Sequence, residues 1–226
     1  MTSVRLAPGD QHVLSAHYFD IVIWRIVTDE DQTRIQYQNR ILNDKSNLYF
    51  DTSPLFLATC RQTRLDRNFS VYGLEDILSE HPKYSKQELT PPSDGFVNAV
   101  SIKDDIIAAV SSFSILTLWR TDSEGSEIDF KLFMTFRYLG MKGSRGSSCS
   151  IAQDEDWIFC CNSDNAGSEE LVIFDKRKAI QDGGGQSDDK SLILRREQGI
   201  KDCLPQQQGS KVFLLTQNYS LVAWNL

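Results

Sequence analysis

The chain has 226 residues, 40% hydrophobic and 10% aromatic, which is material for a sizeable core. Its 24 basic and 31 acidic residues give a net charge of −7, a surface that repels phosphate backbones and argues against nucleic acid or an anionic membrane as partner. No stretch approaches the ~18 continuous apolar residues of a membrane span, the start MTSVRLAPGD has no apolar signal region, and five cysteines without a regular framework argue against a secreted disulfide scaffold, so the expected location is intracellular, in the cytoplasm and/or nucleus.

In chain order, the first unit runs from Val4 to Trp24. It reads as a short apolar strand, a polar turn, a run of small and apolar residues, a second turn, and alternating apolar residues ending on Trp24. TRIQYQN follows as a fourth strand. The second unit, LYFDTSPLFLATC then NFSVYGL, places Tyr72 where the first has Trp24. Its fourth-strand region, GLEDILSEHPKYSKQEL, is the least strand-like, and EDILSEHP suits a helical turn. The third unit, Ala99 to Trp119, aligns with Val4 to Trp24 without a gap, and FKLFMTFR supplies its last strand. The fourth, SSCSIAQDEDWIFCC then ELVIFDKRKA, carries Phe174 and continues into SLILRRE. The fifth, IKDCLPQQQGSKVFLLTQNYSLVAWNL, carries Trp224 and stops one strand short.

The runs are short, rich in Val, Ile, Phe and Thr, and bounded by Asp, Gly, Ser and Pro, which indicates strands a, b, c and d in each unit. The linkers are residues 28–32, 81–95, 140–148 and 181–189, the last, QDGGGQSDD, reading as a mobile surface loop. The aromatics at the end of strand c recur at roughly 50 residues, near the ~40–45 of WD repeats lengthened by loops. A four-stranded unit cannot bury both faces alone, so neighbours must pack face to face. The expected fold is all-β: a WD-repeat β-propeller of about five four-stranded blades near residues 1–40, 45–92, 95–138, 146–196 and 198–226, forming one domain over 1–226. The unfinished last blade implies an incomplete ring, a strained five-bladed closure being the alternative. An open ring exposes a blade face and strand edges, so this segment alone is expected to be poorly soluble.

No chemistry emerges from the polar residues. His12, His17 and His81 stand at no metal spacing. Cys160 and Cys161 point to opposite faces of a strand, and with Cys60 they sit in apolar runs as small hydrophobes. There is no nucleophile elbow, and the glycines of 181–189 lack a phosphate-loop context. The acids 29–31, 104–105 and 154–156 read as solvated turns. No catalytic, metal or cofactor-binding residue is assigned, and a non-enzyme without cofactors is expected. The five strand-c aromatics are core residues. A binding surface is easier to defend on the b–c turns: Arg61, Arg64 and Arg67 in one expanded turn, Tyr18 and Phe19, Phe113, and Tyr219 in others. Arginine and aromatics are enriched at interface hot spots, and clustered arginines grip carboxylate or phosphate bidentately. The alternative is that the arginines are solvated and the aromatics pack on neighbouring blades.

FDKRKA (174–179) and VAWNL (222–226) sit where WD repeats carry their Trp-Asp ending. With SPLFLATC before a lengthened b–c turn and a last blade DCL…KVFLLTQNYSLVAWNL, the order of features resembles the C-terminal propeller of the F-box/WD-repeat family. That resemblance implies a substrate-recognition part of an F-box type (SCF) E3 ubiquitin ligase, with a protein substrate or complex subunit as partner. The Skp1 and cullin machinery would be reached only through an F-box, which this segment lacks. The sequence also lacks the Gly-His dipeptides and turn Asp of regular WD blades. A general WD-repeat scaffold in another intracellular complex is the competing reading.

Overall fold

β-branched and aromatic residues between tight polar turns favour extended backbone, and the chain forms successive antiparallel meanders. The computed structural model describes residues 3–9, 11–17, 20–29, 32–42, 48–61, 67–92, 95–111, 115–121, 128–137, 148–163, 169–181, 185–187, 193–198, 200–205, 211–216 and 220–225. The first sheet holds β1 (Ser3–Leu6), β2 (His12–Ala16), β3 (Asp20–Asp29) and β4 (Gln32–Leu42). The second holds β5 (Leu48–Thr52), β6 (Phe56–Arg61), β7 (Phe69–Gly73) and β8 (Lys86–Leu89), with helix α1 (Leu74–Leu78) between β7 and β8. The third holds β9 (Val97–Lys103), β10 (Ile106–Ser111), β11 (Ile115–Thr121) and β12 (Phe130–Arg137). In the fourth, β13 (Ser148–Gln153), β14 (Trp157–Ser163) and β15 (Glu169–Asp175) are followed by α2 (Lys176–Gln181), a short strand β16 (Gly185–Ser187) and β17 (Ile193–Gln198). The fifth has three strands, β18 (Ile200–Pro205), β19 (Lys211–Thr216) and β20 (Leu221–Asn225).

One cross-strand row recurs in every sheet. Strands a, b and c align Leu6–Val13–Trp24, Thr52–Leu57–Tyr72, Ile102–Ile107–Trp119, Gln153–Ile158–Phe174 and Pro205–Val212–Trp224. The strand-b partner is always a bulky aliphatic. A c–d bulge falls immediately before Trp24, Trp119 and Phe174, where the extra residue increases local twist. The gap-free match of the first and third units is corrected by this register. Val13, not His12, is the counterpart of Ile107, because the a–b and b–c connections differ in length between the two units. A one-residue slip exchanges the two faces of a strand.

Successive sheets pack face to face and share four cores. Tyr72 and Leu57 lie in a core with Leu14, Ile21 and Ile23 of the first sheet. Trp119 and Ile107 lie in one with Phe69 and Val71 of the second, and Phe174 and Ile158 in one with Leu118 and Phe136 of the third. Val212 lies in one with Phe159 and Ile173 of the fourth. Three aromatic pairs cross these junctions edge-on: Phe56–Phe130 at 5.0 Å, Phe69–Trp119 at 4.9 Å and Phe136–Phe174 at 5.3 Å. Such pairs contribute about 0.5–1.5 kcal/mol each beyond area burial. Tyr72, Trp119 and Phe174 thus face the preceding sheet, as the core role assigned to them requires; Trp24, expected in the core as well, is only half-buried and joins none of these cores, and the side chain of Trp224 lies outside the described residues. The middle sheet is covered on both sides, so β10 is buried at every position and its sequence, IIAAVS, shows no alternation.

Cys60, Cys160 and Cys161 are reduced and buried. Cys160 enters the core with the third sheet and Cys161 the core with the fifth, the opposite faces their adjacency demands. Burial pushes the Cys60 thiol up to about 12.

Two connections are not loops. The linker 81–95 contains β8, and the helical turn precedes it as α1, whose Leu74 and Ile77 are buried against the first sheet. In 181–189, expected to be a mobile loop, β16 pairs in parallel with β12 (Met134↔Gly185, Phe136↔Ser187) and gives the third sheet a fifth strand. An edge strand carries unpaired backbone donors and acceptors, and β16 covers the part of the β12 edge at Met134–Phe136. Asp175, the acid of FDKRKA, ends β15 and caps α2, its Oδ1 accepting from Lys178 N at 2.9 Å.

Candidate functional site

In an antiparallel meander the b–c and d–a connections leave from one end of the sheet and the a–b and c–d connections from the other. The strand boundaries put every candidate residue at a b–c connection: 17–19 (Tyr18, Phe19), 62–68 (Arg64, Arg67, with Arg61 ending β6), 112–114 (Phe113) and 217–220 (Tyr219). Arg67 is exposed. Tyr18, Phe19, Arg64, Phe113, Tyr219 and the side chain of Arg61 lie outside the described residues.

The described parts of this rim are held by hydrogen bonds. Asn68 Oδ1 accepts from Thr90 Oγ1 at 2.9 Å, tying the expanded b–c connection of the second unit to its d–a connection. The last b–c turn closes with Thr216 N donating to Ser220 O at 3.0 Å. In the first unit Trp24 Nε1 donates to Ser15 Oγ at 2.8 Å, and Ser15 Oγ lies 3.1 Å from His17 Nε2. Although the Gly-His and turn-Asp pattern is missing, this unit therefore carries a shorter relay from strand c through strand b to the rim.

The opposite end is charged and largely paired. Asp105 meets Arg120 at 2.8 Å, and Asp156 meets Arg177 at 3.1 Å, whose guanidinium lies 5.3 Å from the centre of the Trp157 ring. Asp154 Oδ1 accepts from the Asp156 and Trp157 amides at 2.9 and 2.7 Å, and Asp104 takes the left-handed φ of 52° in its tight turn. These acids are turn-formers and ion-pair partners rather than simply solvated. They also surround Lys176, which is 4% exposed and whose Nζ donates to Asp154 O at 2.5 Å and Gln153 Oε1 at 3.4 Å. Burial holds its ammonium below the usual lysine range, against the opposing pull of Asp104 and Asp154. The native state therefore releases this proton more readily than the unfolded chain, so its contribution to stability rises with pH through the window below the ordinary lysine pKa. Lys176→Met is expected to remove that rise, which melting curves in neutral and alkaline buffer will measure.

Sequence reasoning missed a chain of buried polar contacts along the inner strands. Asp51 of β5 accepts at Oδ2 from Ser101 Oγ at 2.7 Å and Ile102 N at 3.1 Å, and at Oδ1 from Thr52 N at 3.0 Å. Gln153 of β13 reaches the same strand from the other side, donating to Ser101 O and Ile106 O at 3.0 Å each. β9 is an edge strand of its sheet, and side chains of both neighbours bond its backbone. The signal was available: Gln153 stands in the row where other units place Leu6 and Ile102, a polar residue at an apolar position. In the first junction His12 Nε2 meets Gln38 Oε1 at 3.0 Å, and Gln38 Nε2 donates to Leu78 O at 2.6 Å, tying the first sheet to α1. Among the described residues no three His, Cys, Asp or Glu side chains converge as metal ligands, and no helix is long and apolar enough to cross a membrane.

No protein-family model matches this sequence, and the comparison with curated proteins returns no match.

Proposed function

We propose that this chain is a non-catalytic, protein-binding part of a WD-repeat-type β-propeller, whose partner docks on the rim of b–c connections. The observation that carries this reading is the serial stacking of five meanders through four shared cores, with one aromatic row repeated in each. Sheets stacked in this way line up their b–c connections, and the chemistry of Arg61, Arg64, Arg67, Tyr18, Phe19, Phe113 and Tyr219 suits a protein surface. The sequence resemblance extends the proposal to substrate recognition in an F-box type ubiquitin ligase, and a general intracellular WD scaffold is the other reading.

Reversing Arg61, Arg64 and Arg67 to Glu is expected to abolish partner capture while leaving the melting temperature nearly unchanged, because b–c connection residues add little to the sheet cores. Quantitative pull-down from cell lysate with the original chain and the triple variant tests this; equal capture of every protein removes the rim from consideration. Recovery of the Skp1 adaptor with an F-box-bearing form, and not with this segment, separates the ligase reading from the scaffold reading.

A further inference from the structure

Both end faces of the stack are apolar and uncovered. On the first sheet the rows Val4–Ser15–Val22 and Leu6–Val13–Trp24–Tyr37 point away from the second sheet, with Val4 46%, Leu6 51% and Tyr37 54% exposed. On the fifth sheet the pairs Phe213↔Ala223 and Leu215↔Leu221 point away from the fourth, with Leu221 71% exposed.

The internal junctions reveal what these faces fit. Tyr72, Trp119 and Phe174 and their strand-b partners face the preceding sheet, as does Val212 of the fifth, and in the third and fourth sheets the next residues face the following one. In the third sheet Ala108↔Leu118 and Val110↔Leu116 form the surface that buries against Ile158 and Phe174 of the fourth. The pairing register makes Phe213↔Ala223 and Leu215↔Leu221 the counterparts of those pairs, since Val212↔Trp224 corresponds to Ile107↔Trp119. Likewise Val13↔Trp24 corresponds to Ile158↔Phe174. The two ends are therefore the two halves of the junction already built four times inside the chain. Within one copy they do not cover each other, because Leu6, Tyr37 and Leu221 remain exposed.

We propose that the outer face of the first sheet in one copy docks on the outer face of the fifth sheet in a second copy, continuing the stack head to tail. The contact is heterologous, with different surfaces meeting, so it closes only when both ends of an assembly are satisfied. It stands on the register alone and needs no particular reading of the rim.

Sedimentation velocity of the purified full chain across a concentration series tests the association. The expected result is a species of at least twice the 25.7 kDa chain mass, weakened roughly tenfold or more in Kd by Tyr37→Lys and, separately, by Leu221→Glu. Both positions are exposed within one copy, so circular dichroism should show each variant folded, and either variant serves if the other is not. Orientation is read with a bifunctional thiol crosslinker in a background carrying Cys149→Ser and Cys203→Ser, which leaves the three buried native thiols: mixed Leu6→Cys and Leu221→Cys chains are expected to crosslink between copies, and neither alone to do so. A monomer at every concentration overturns the proposal. So do association insensitive to both variants, crosslinking of Leu6→Cys chains to each other, and a double variant that closes within one chain.

Discussion

Trp119→Ala is expected to cost about 3–5 kcal/mol of stability, and Trp24→Ala less than half of that. The two residues occupy the same register position, beside Ile107 and Val13 respectively and each after a bulge. Trp119 is 2% exposed and wedged against Phe69 of the preceding sheet, so truncation opens a cavity that two rigid sheets cannot collapse to fill. Among the described residues no sheet packs in front of Trp24. It is half-buried, packs edge-on against Tyr37 at 6.1 Å, and keeps one hydrogen bond to Ser15. Urea unfolding of both variants at low protein concentration measures the contrast, and equal losses would refute the rule that the aromatic of strand c serves the preceding junction. If copies stack head to tail, the cost of Trp24→Ala grows with protein concentration while that of Trp119→Ala does not.

Asp51→Ala should cost about 2–4 kcal/mol, since it strands buried donors that the carboxylate now satisfies. The main effect of burial is to raise the carboxyl above the usual carboxylate range; Ser101, the Ile102 and Thr52 amides and the nearby Arg5 charge act in the opposite direction. A raised native pKa means that the folded chain holds this proton more tightly than the unfolded chain does. The stability linked to Asp51 is therefore greatest at acid pH and declines as pH rises from the unfolded value through the raised one. Asp51→Asn keeps an acceptor near Ser101 without a titrating group. The difference in unfolding free energy between the original chain and Asp51→Asn is expected to move against the original chain across that window. A difference that is flat with pH would mean that the carboxyl is not perturbed.

These two positions show how the junctions divide their work. Trp119, Phe69, Phe136 and Phe174 supply apolar area between sheets, whereas Asp51, Ser101, Gln153 and Lys176 supply direction along the inner strands. Apolar contact alone tolerates sliding by a residue. A carboxylate that must meet one hydroxyl and one amide does not, so the polar set selects the register in which the aromatic rows interlock.

The repeat was legible in the sequence because its physical cause is local. Short β-branched runs between polar turns form strands, and the large aromatic at the end of strand c marks each unit at Trp24, Tyr72, Trp119, Phe174 and Trp224. The burial of Cys60, Cys160 and Cys161 follows from the same local pattern. Tertiary structure alone decided which neighbour Tyr72, Trp119 and Phe174 serve, since alternation distinguishes two faces of a strand but does not say what covers them. In β10 it does not even distinguish the faces, because both are buried. The register slip between the first and third units also escaped sequence alignment, as small differences in turn length offset one another in the count. QDGGGQSDD reads as a loop by composition, yet part of it pairs with β12 because that edge offers hydrogen bonds no local signal records. Asp51 and Gln153 look like ordinary polar strand residues until the adjoining sheets bring the β9 backbone within their reach.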